Sequence, residues 1–279
     1  RSLGDLQGAR VAYASIVSDL DADPQAPVRL ALHARCEHAA AVGYLGDPSG
    51  AETLLGDLAV QSQSLLGATD PLTLRLERQR WRWAGAADRL TEAIDGLERV
   101  HVRMTDTLGA NDPGTLFALS NRAYFLARAG RLREASALYQ ELVERRVEVL
   151  GVTHPHTIDA IRNKTRVDGA LLGPAEAASG CRSLLDGSLR PLSPSNPLVM
   201  SVKLDFATAL AESGELPDGC AIVDEIAQEQ GVEPPLTVIM ATIGEYGDVS
   251  NTRRRVERLL NALPANDAEE AAAIVTRWQ

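Results

Sequence analysis

The chain has 279 residues, 45% of them apolar and only 4% aromatic, with a formal net charge of −10. A core drawn mainly from Leu, Ala and Val suits helices better than sheets, and the acidic balance argues against a broad phosphate-binding surface, hence against nucleic acid as a partner. Cys36, Cys181 and Cys220 are too few and too scattered for a disulfide framework or a structural zinc site; with no apolar run near the roughly 20 residues of a membrane helix and no secretory signal, a reducing, cytoplasmic setting is expected.

From its first residues the chain reads as one helical unit written repeatedly. Residues 4–20 have the pattern of a second helix whose first helix is missing, which predicts a piece of a longer protein. Residues 27–63 form the next pair, with an unusual turn, Gly46-Asp47-Pro48-Ser49-Gly50. Full units follow at 66–107, 108–149 and 150–191, and another at 192–230. Pro71, Pro113, Pro155 and Pro197 mark the register, each 42 residues from the next, and Asp70, Asp112, His154 and Asn196 precede them. Aspartate and asparagine are good N-caps, and proline suits the first helical turn.

The second helix of each unit is as regular. Ala9, Ala51, Ala93, Ala135, Ala177 and Gly219 share one repeat position, where a small residue lets two helices approach. Tyr13, Leu55, Leu97, Tyr139, Cys181 and Val223 follow four places on, and Ile16, Leu58, Val100, Leu142, Leu184 and Ile226 three beyond those. That spacing is one face of a helix. Gly4, Gly46, Gly130 and Gly214 mark the turn between the helices, with Asp88 and Leu172 as exceptions. After Gly231 the phase breaks. Residues 235–279 are expected to form a divergent repeat and a capping helix, ending a single solenoid that spans 1–279.

No catalytic signature is present: no HExxH, no GK[ST] phosphate loop, no GxGxxG and no GxSxG. His154-Pro155-His156 is the only close histidine pair and falls in an inter-repeat turn, where local hydrogen bonding outweighs metal ligation as a reading. Cys181 and Cys220 lie on the second-helix core face and read as buried small hydrophobes. Asn163-Lys164-Thr165 matches a glycosylation sequon but lies mid-helix. The chain is therefore expected not to be an enzyme, and no cofactor or metal is expected.

Asn121, Ala123, Gly130, Leu132, Glu134, Ala135, Tyr139 and Leu142, with the phrase Leu150-Gly-Val-Thr-His-Pro-His-Thr157, resemble the tetratricopeptide repeat in its 42-residue kinesin-light-chain-like form, also found in large actinobacterial regulators. The resemblance covers about 4–230 and, loosely, 235–262. It departs at Pro48 and Pro174, and at Lys164 and Asp168, which are polar where packing usually wants apolar residues. It implies an all-α, right-handed α-solenoid whose first helices line a concave groove.

Carried over position by position, the resemblance places Arg75, Arg78, Gln79 and Arg82 of the first full unit toward that groove. It adds Phe117, Ser120, Asn121, Tyr124 and Arg128 from the second, and Asp159, Arg162, Asn163 and Arg166 from the third. Arginine suits bidentate recognition of carboxylate or phosphate, and asparagine amides suit a peptide backbone. The competing reading is a solvated face neutralised from within by Glu77, Asp112 and Asp159. Trp81 is expected between helices and Trp83 at an interface, while Arg253, Arg254, Arg255 and Arg258 make a separate basic run.

Two functions remain in view. One is a scaffold that binds a protein or peptide with an acidic segment or carboxyl terminus. The other is the regulatory region of a larger signalling protein, its partners being other domains of the same chain. Neither fixes an oligomeric state.

Overall fold

The computed structural model describes residues 3–23 and 25–230, and every regular element among them is an α-helix. The helices are α1 Leu3–Ala22, α2 Val28–Tyr44, α3 Pro48–Leu66, α4 Pro71–Ala86, α5 Leu90–Leu108, α6 Pro113–Arg128, α7 Leu132–Leu150, α8 Pro155–Leu172, α9 Pro174–Asp186, α10 Pro197–Ser213 and α11 Leu216–Gln230. Between Val28 and Gln230 the chain forms α2 to α11. The divergent repeat and capping helix, and the arginine run at 253–258, lie outside the described residues.

The 42-residue phrase is a helix start. Asp70 Oδ1 accepts from the Leu72 N–H at 2.9 Å, and Asp112 Oδ1 accepts from the Gly114 N–H at 2.7 Å and the Thr115 N–H at 3.2 Å. His154 Nδ1 accepts from the His156 N–H at 3.2 Å, and Asn196 Oδ1 from the Leu198 N–H at 2.9 Å. Each cap satisfies backbone donors that the first turn leaves free, and a proline stands directly behind it. His154 is thus a cap in the same series. Pro48 and Pro174, departures by sequence, likewise open α3 and α9, where a missing N–H costs nothing.

The second-helix stripe is the core. Ala51, Ala93 and Ala135 are fully buried, followed by Leu55, Leu97 and Tyr139, then Val100 and Leu142. The stripe fails on α1, where Ile16 is exposed. That helix packs on α2, so only one of its faces is covered. The irregular turn after α8 also has a local cause. Leu172 is exposed and Gly173, one place later, takes the positive φ of +113°.

The helices gather into two compact units, Arg1–Val149 and Leu150–Gln279. In the first, neighbouring helices pack in order from α1 to α6, and among the first helices α4 also touches both α2 and α6. Glycine permits that approach. A Cβ on Gly43 of α2 would lie 2.6 Å from the Trp83 ring of α4, and a Cβ on Gly85 of α4 would lie 2.4 Å from the Phe125 ring of α6. The contact recurs 42 residues on with one ring exchanged for another. Trp83 is therefore buried between first helices, while Trp81 lies against Gly96 of α5. In the second unit, α8 packs on α9, α9 on α10 and α10 on α11.

Candidate functional site

The first helices of the first unit carry a basic row. Arg75, Arg78 and Arg82 share one face of α4 at i, i+3 and i+7. Each is held differently.

Arg75 reaches back to α2. Its Nη2 donates to Glu37 Oε1 at 2.5 Å, and its Nη1 lies 3.4 Å from His33 Nδ1. Arg82 also turns to α2, where Nη2 donates to the Tyr44 hydroxyl at 3.0 Å. Its guanidinium lies over two rings, 4.5 Å from the Trp83 centroid and 5.1 Å from that of Tyr44. Tyr44 itself meets Trp83 edge-on at 5.0 Å. Such stacking holds a charged fork in place without neutralising it.

Arg78 stands between them, turned toward α6, its guanidinium carbon 5.6 Å from the Phe117 centroid. Its Nε is buried without a hydrogen-bond partner. No carboxylate among the described residues pairs with Arg78 or Arg82. Burial, and then the charges of Arg75 and Arg82, push the Arg78 guanidinium down to about 10 from its ordinary value. It remains a cation at neutral pH, at a place that disfavours one.

On α6, Asn121 lies one turn beyond Phe117, and its Nδ2 is a second buried donor without a partner. Tyr124 follows, 47% exposed and edge-on to Phe125 at 5.1 Å. Arg128 ends the helix and bonds back to α4, donating to the Gly85 carbonyl and to Asp88 Oδ1, each at 3.1 Å. Gln79 is half-buried on α4. The first unit thus brings Arg75, Arg78, Gln79, Arg82, Asn121, Tyr124 and Arg128 onto the adjoining helices α4 and α6.

The second unit differs. Arg162, expected to face a groove, is buried on α8, and its Nε donates to Asp205 Oδ2 of α10 at 2.8 Å. Asn163 and Arg166 are half-buried on the same helix. Lys164 and Asp168, the polar anomalies, form an i,i+4 ion pair at 2.5 Å. They line a cavity of about 210 Å³ together with Thr165, Glu176, Ser183 and Ser188.

Neither Glu77 nor Asp112 neutralises the row. Glu77 pairs with Arg103 at 2.5 Å, and Asp112 caps α6. The arginines are met instead by Glu37, Asp88 and Asp205, all from neighbouring repeats. Two of them stand in the sequence as the acids that flank the basic units. Glu37, Gln79, Asn121, Asn163 and Asp205 form a single 42-residue column, with its acids at the two ends.

A tetratricopeptide-repeat family model matches residues 115–156, one 42-residue period. Solved structures match far more of the chain. A putative kinesin light chain of Podosopora anserina with nearly identical TPR-like repeats is 20% identical, with a TM-score of 0.65 over 72% of this chain and 95% of that one; a single-substitution variant of the same protein matches alike. BtubC (BKLC) from P. vanneervenii is 15% identical, with a TM-score of 0.68 over 81% of this chain and 91% of that one. No curated protein matches by sequence. Among the described residues, no helix is long and apolar enough to cross a membrane.

Proposed function

We propose, for a chain that carries a tetratricopeptide repeat and folds as a stack of such helix pairs, that the face of α4 and α6 holds an acidic peptide segment or carboxyl terminus of a protein partner. The fold supports a protein-interaction scaffold. The observation that carries the finer reading is Arg78. It is a half-buried arginine whose Nε is fully buried, standing between two further arginines, and no carboxylate among the described residues pairs with it. A charge left in that state is costly until an anion meets it. Arg82, fixed over Tyr44 and Trp83, offers a second cation. Asn121 offers an amide donor to a peptide backbone, and Tyr124 an exposed ring to an apolar side chain.

The test is calorimetric titration with a panel of peptides rich in Asp and Glu, each with a free and an amidated carboxyl terminus, against neutral and basic peptides of equal length. Binding confined to acidic members, weakening with salt, supports the reading. Equal binding of neutral members, or no binding by any acidic one, overturns it.

A further inference from the structure

The chain contains its own comparison for the Arg78 site. Arg162 and Asp205 are 43 residues apart, joined across α8 and α10 at 2.8 Å. Arg78 and Asn121 are also 43 residues apart, at the same two repeat positions on α4 and α6. In the second unit the acceptor position carries a carboxylate, and the arginine's Nε donates to it. In the first it carries an amide. Whichever way that amide is turned, it brings no charge to Arg78, and its own Nδ2 is buried without a partner.

The other members of the column complete the pattern. Glu37 neutralises Arg75. The residues standing 43 before Gln79 and Asn163 are Cys36 and Ser120, which need no acid. Of the two arginines at this repeat position among the described residues, Arg162 pairs with a carboxylate, while Arg78 has the amide of Asn121 at the corresponding position.

The geometry points to Asp205 as a built-in occupant: it fills in cis, in the second unit, the place that Asn121 leaves for a carboxylate from outside in the first. The residue at this column therefore decides which repeat takes an acidic ligand, and the ligand group is a single carboxylate between Arg78 and Asn121. The inference rests on the acidic-segment reading but concerns the group recognised and the residue that selects it. Asn121→Asp closes the first site with an internal ion pair, and Asp205→Asn opens a second at Arg162.

The experiment uses the full 279-residue chain and acetate as the carboxylate. Thermal midpoints are compared in sodium acetate and in sodium chloride of equal ionic strength at pH 7.5. The Arg78→Gln variant supplies the baseline for the general stabilising effect of acetate on proteins. Wild type is expected to gain a few degrees more than that baseline, since a ligand specific to the folded state raises its midpoint. Asn121→Asp is expected to melt higher than wild type in chloride and to show only the baseline gain. Asp205→Asn is expected to melt lower in chloride and to gain more from acetate than wild type does. An Asn121→Asp protein that keeps the wild-type acetate gain, or that melts lower in chloride, overturns the inference. That variant suffices even where Asp205→Asn fails to fold.

An acidic-peptide titration separates the two levels. Acetate gains that follow this pattern, with no acidic peptide bound, leave the inference standing and overturn the proposed function. Acidic peptides bound equally by wild type and Asn121→Asp do the reverse.

Discussion

Asp88 stands with φ at +65° in the turn between α4 and α5, at the place where Gly130, 42 residues later, has φ at +76° between α6 and α7. It is the only non-glycine with positive φ among the described residues. Aspartate tolerates this region better than most side chains, but glycine adopts it without steric cost. Its carboxylate accepts from Arg128 at 3.1 Å, a largely solvent-exposed pair that contributes little to stability. Asp88→Gly is therefore expected to raise unfolding free energy by about 0.5–1 kcal/mol, and Asp88→Ala to lower it by about as much. Urea titrations of the two variants check the sign of each. The glycine variant leaves Arg128 its bond to the Gly85 carbonyl.

Glu52 of α3 is buried and shared by two arginines. Its Oε1 accepts from Arg80 Nε at 2.9 Å and its Oε2 from Arg89 Nη2 at 2.7 Å. Burial pushes the carboxyl up, but the hydrogen bonds from Arg89 and Arg80 together outweigh it and hold the group below its ordinary value. A carboxyl depressed by folding contributes stability that is present above its unfolded pKa and lost as pH falls through the folded one. Both arginines are more than a third exposed, so solvent screens the pairs. Glu52→Gln is expected to cost about 1–2 kcal/mol at pH 7, less than a fully buried pair would. Denaturation midpoints at pH 7 and pH 3.5 check this, since the gap between variant and wild type should narrow in acid.

Cys36 sits fully buried on α2, beneath the arginine row. Burial pushes its thiol up to about 11, with Glu37 adding to the rise and Arg75 and Arg78 opposing it. An acid raised by folding contributes stability below the unfolded pKa that is lost as pH rises through the folded one. The thiolate fraction at pH 8 is about 100-fold below that of an unperturbed cysteine, and the thiolate is the reactive species. Native protein treated with iodoacetamide at pH 8 should therefore leave Cys36 unmodified, and urea-unfolded protein should be labelled there, as read by peptide mass spectrometry.

Much of this fold was legible because its signals are local. Asp70 and Pro71, or Asp112 and Pro113, satisfy backbone groups within three residues, so a single strand of text announces a helix start. The alanine-led stripe on α3, α5 and α7 follows from helix geometry alone. What escaped reading was the pairing of charges. Glu37 finds Arg75 across 38 residues, and Asp205 finds Arg162 across 43. Such contacts depend on how far each helix turns against its neighbour, which no local pattern encodes. Glu77 lies among the arginines in sequence. It points to Arg103 on α5 instead, because side chains two and five residues away from Arg75 and Arg82 leave the shared face. The row stands in the sequence, whereas the neutralisation of Arg75 and Arg128 and the unpartnered Nε of Arg78 depend on the stack.

The role proposed for Arg78 and Arg82 is to meet an acidic partner segment. The most direct measurement is the affinity of the tightest acidic peptide for wild type, Arg78→Gln and Arg82→Gln, at low and at high salt, with thermal melts confirming that each variant is folded. Loss of one charge-assisted contact to a carboxylate is worth about 1.5–3 kcal/mol. A weakening of at least tenfold in each variant, with a flatter salt dependence than wild type, is the expected result. Affinity unchanged in both folded variants would contradict the account.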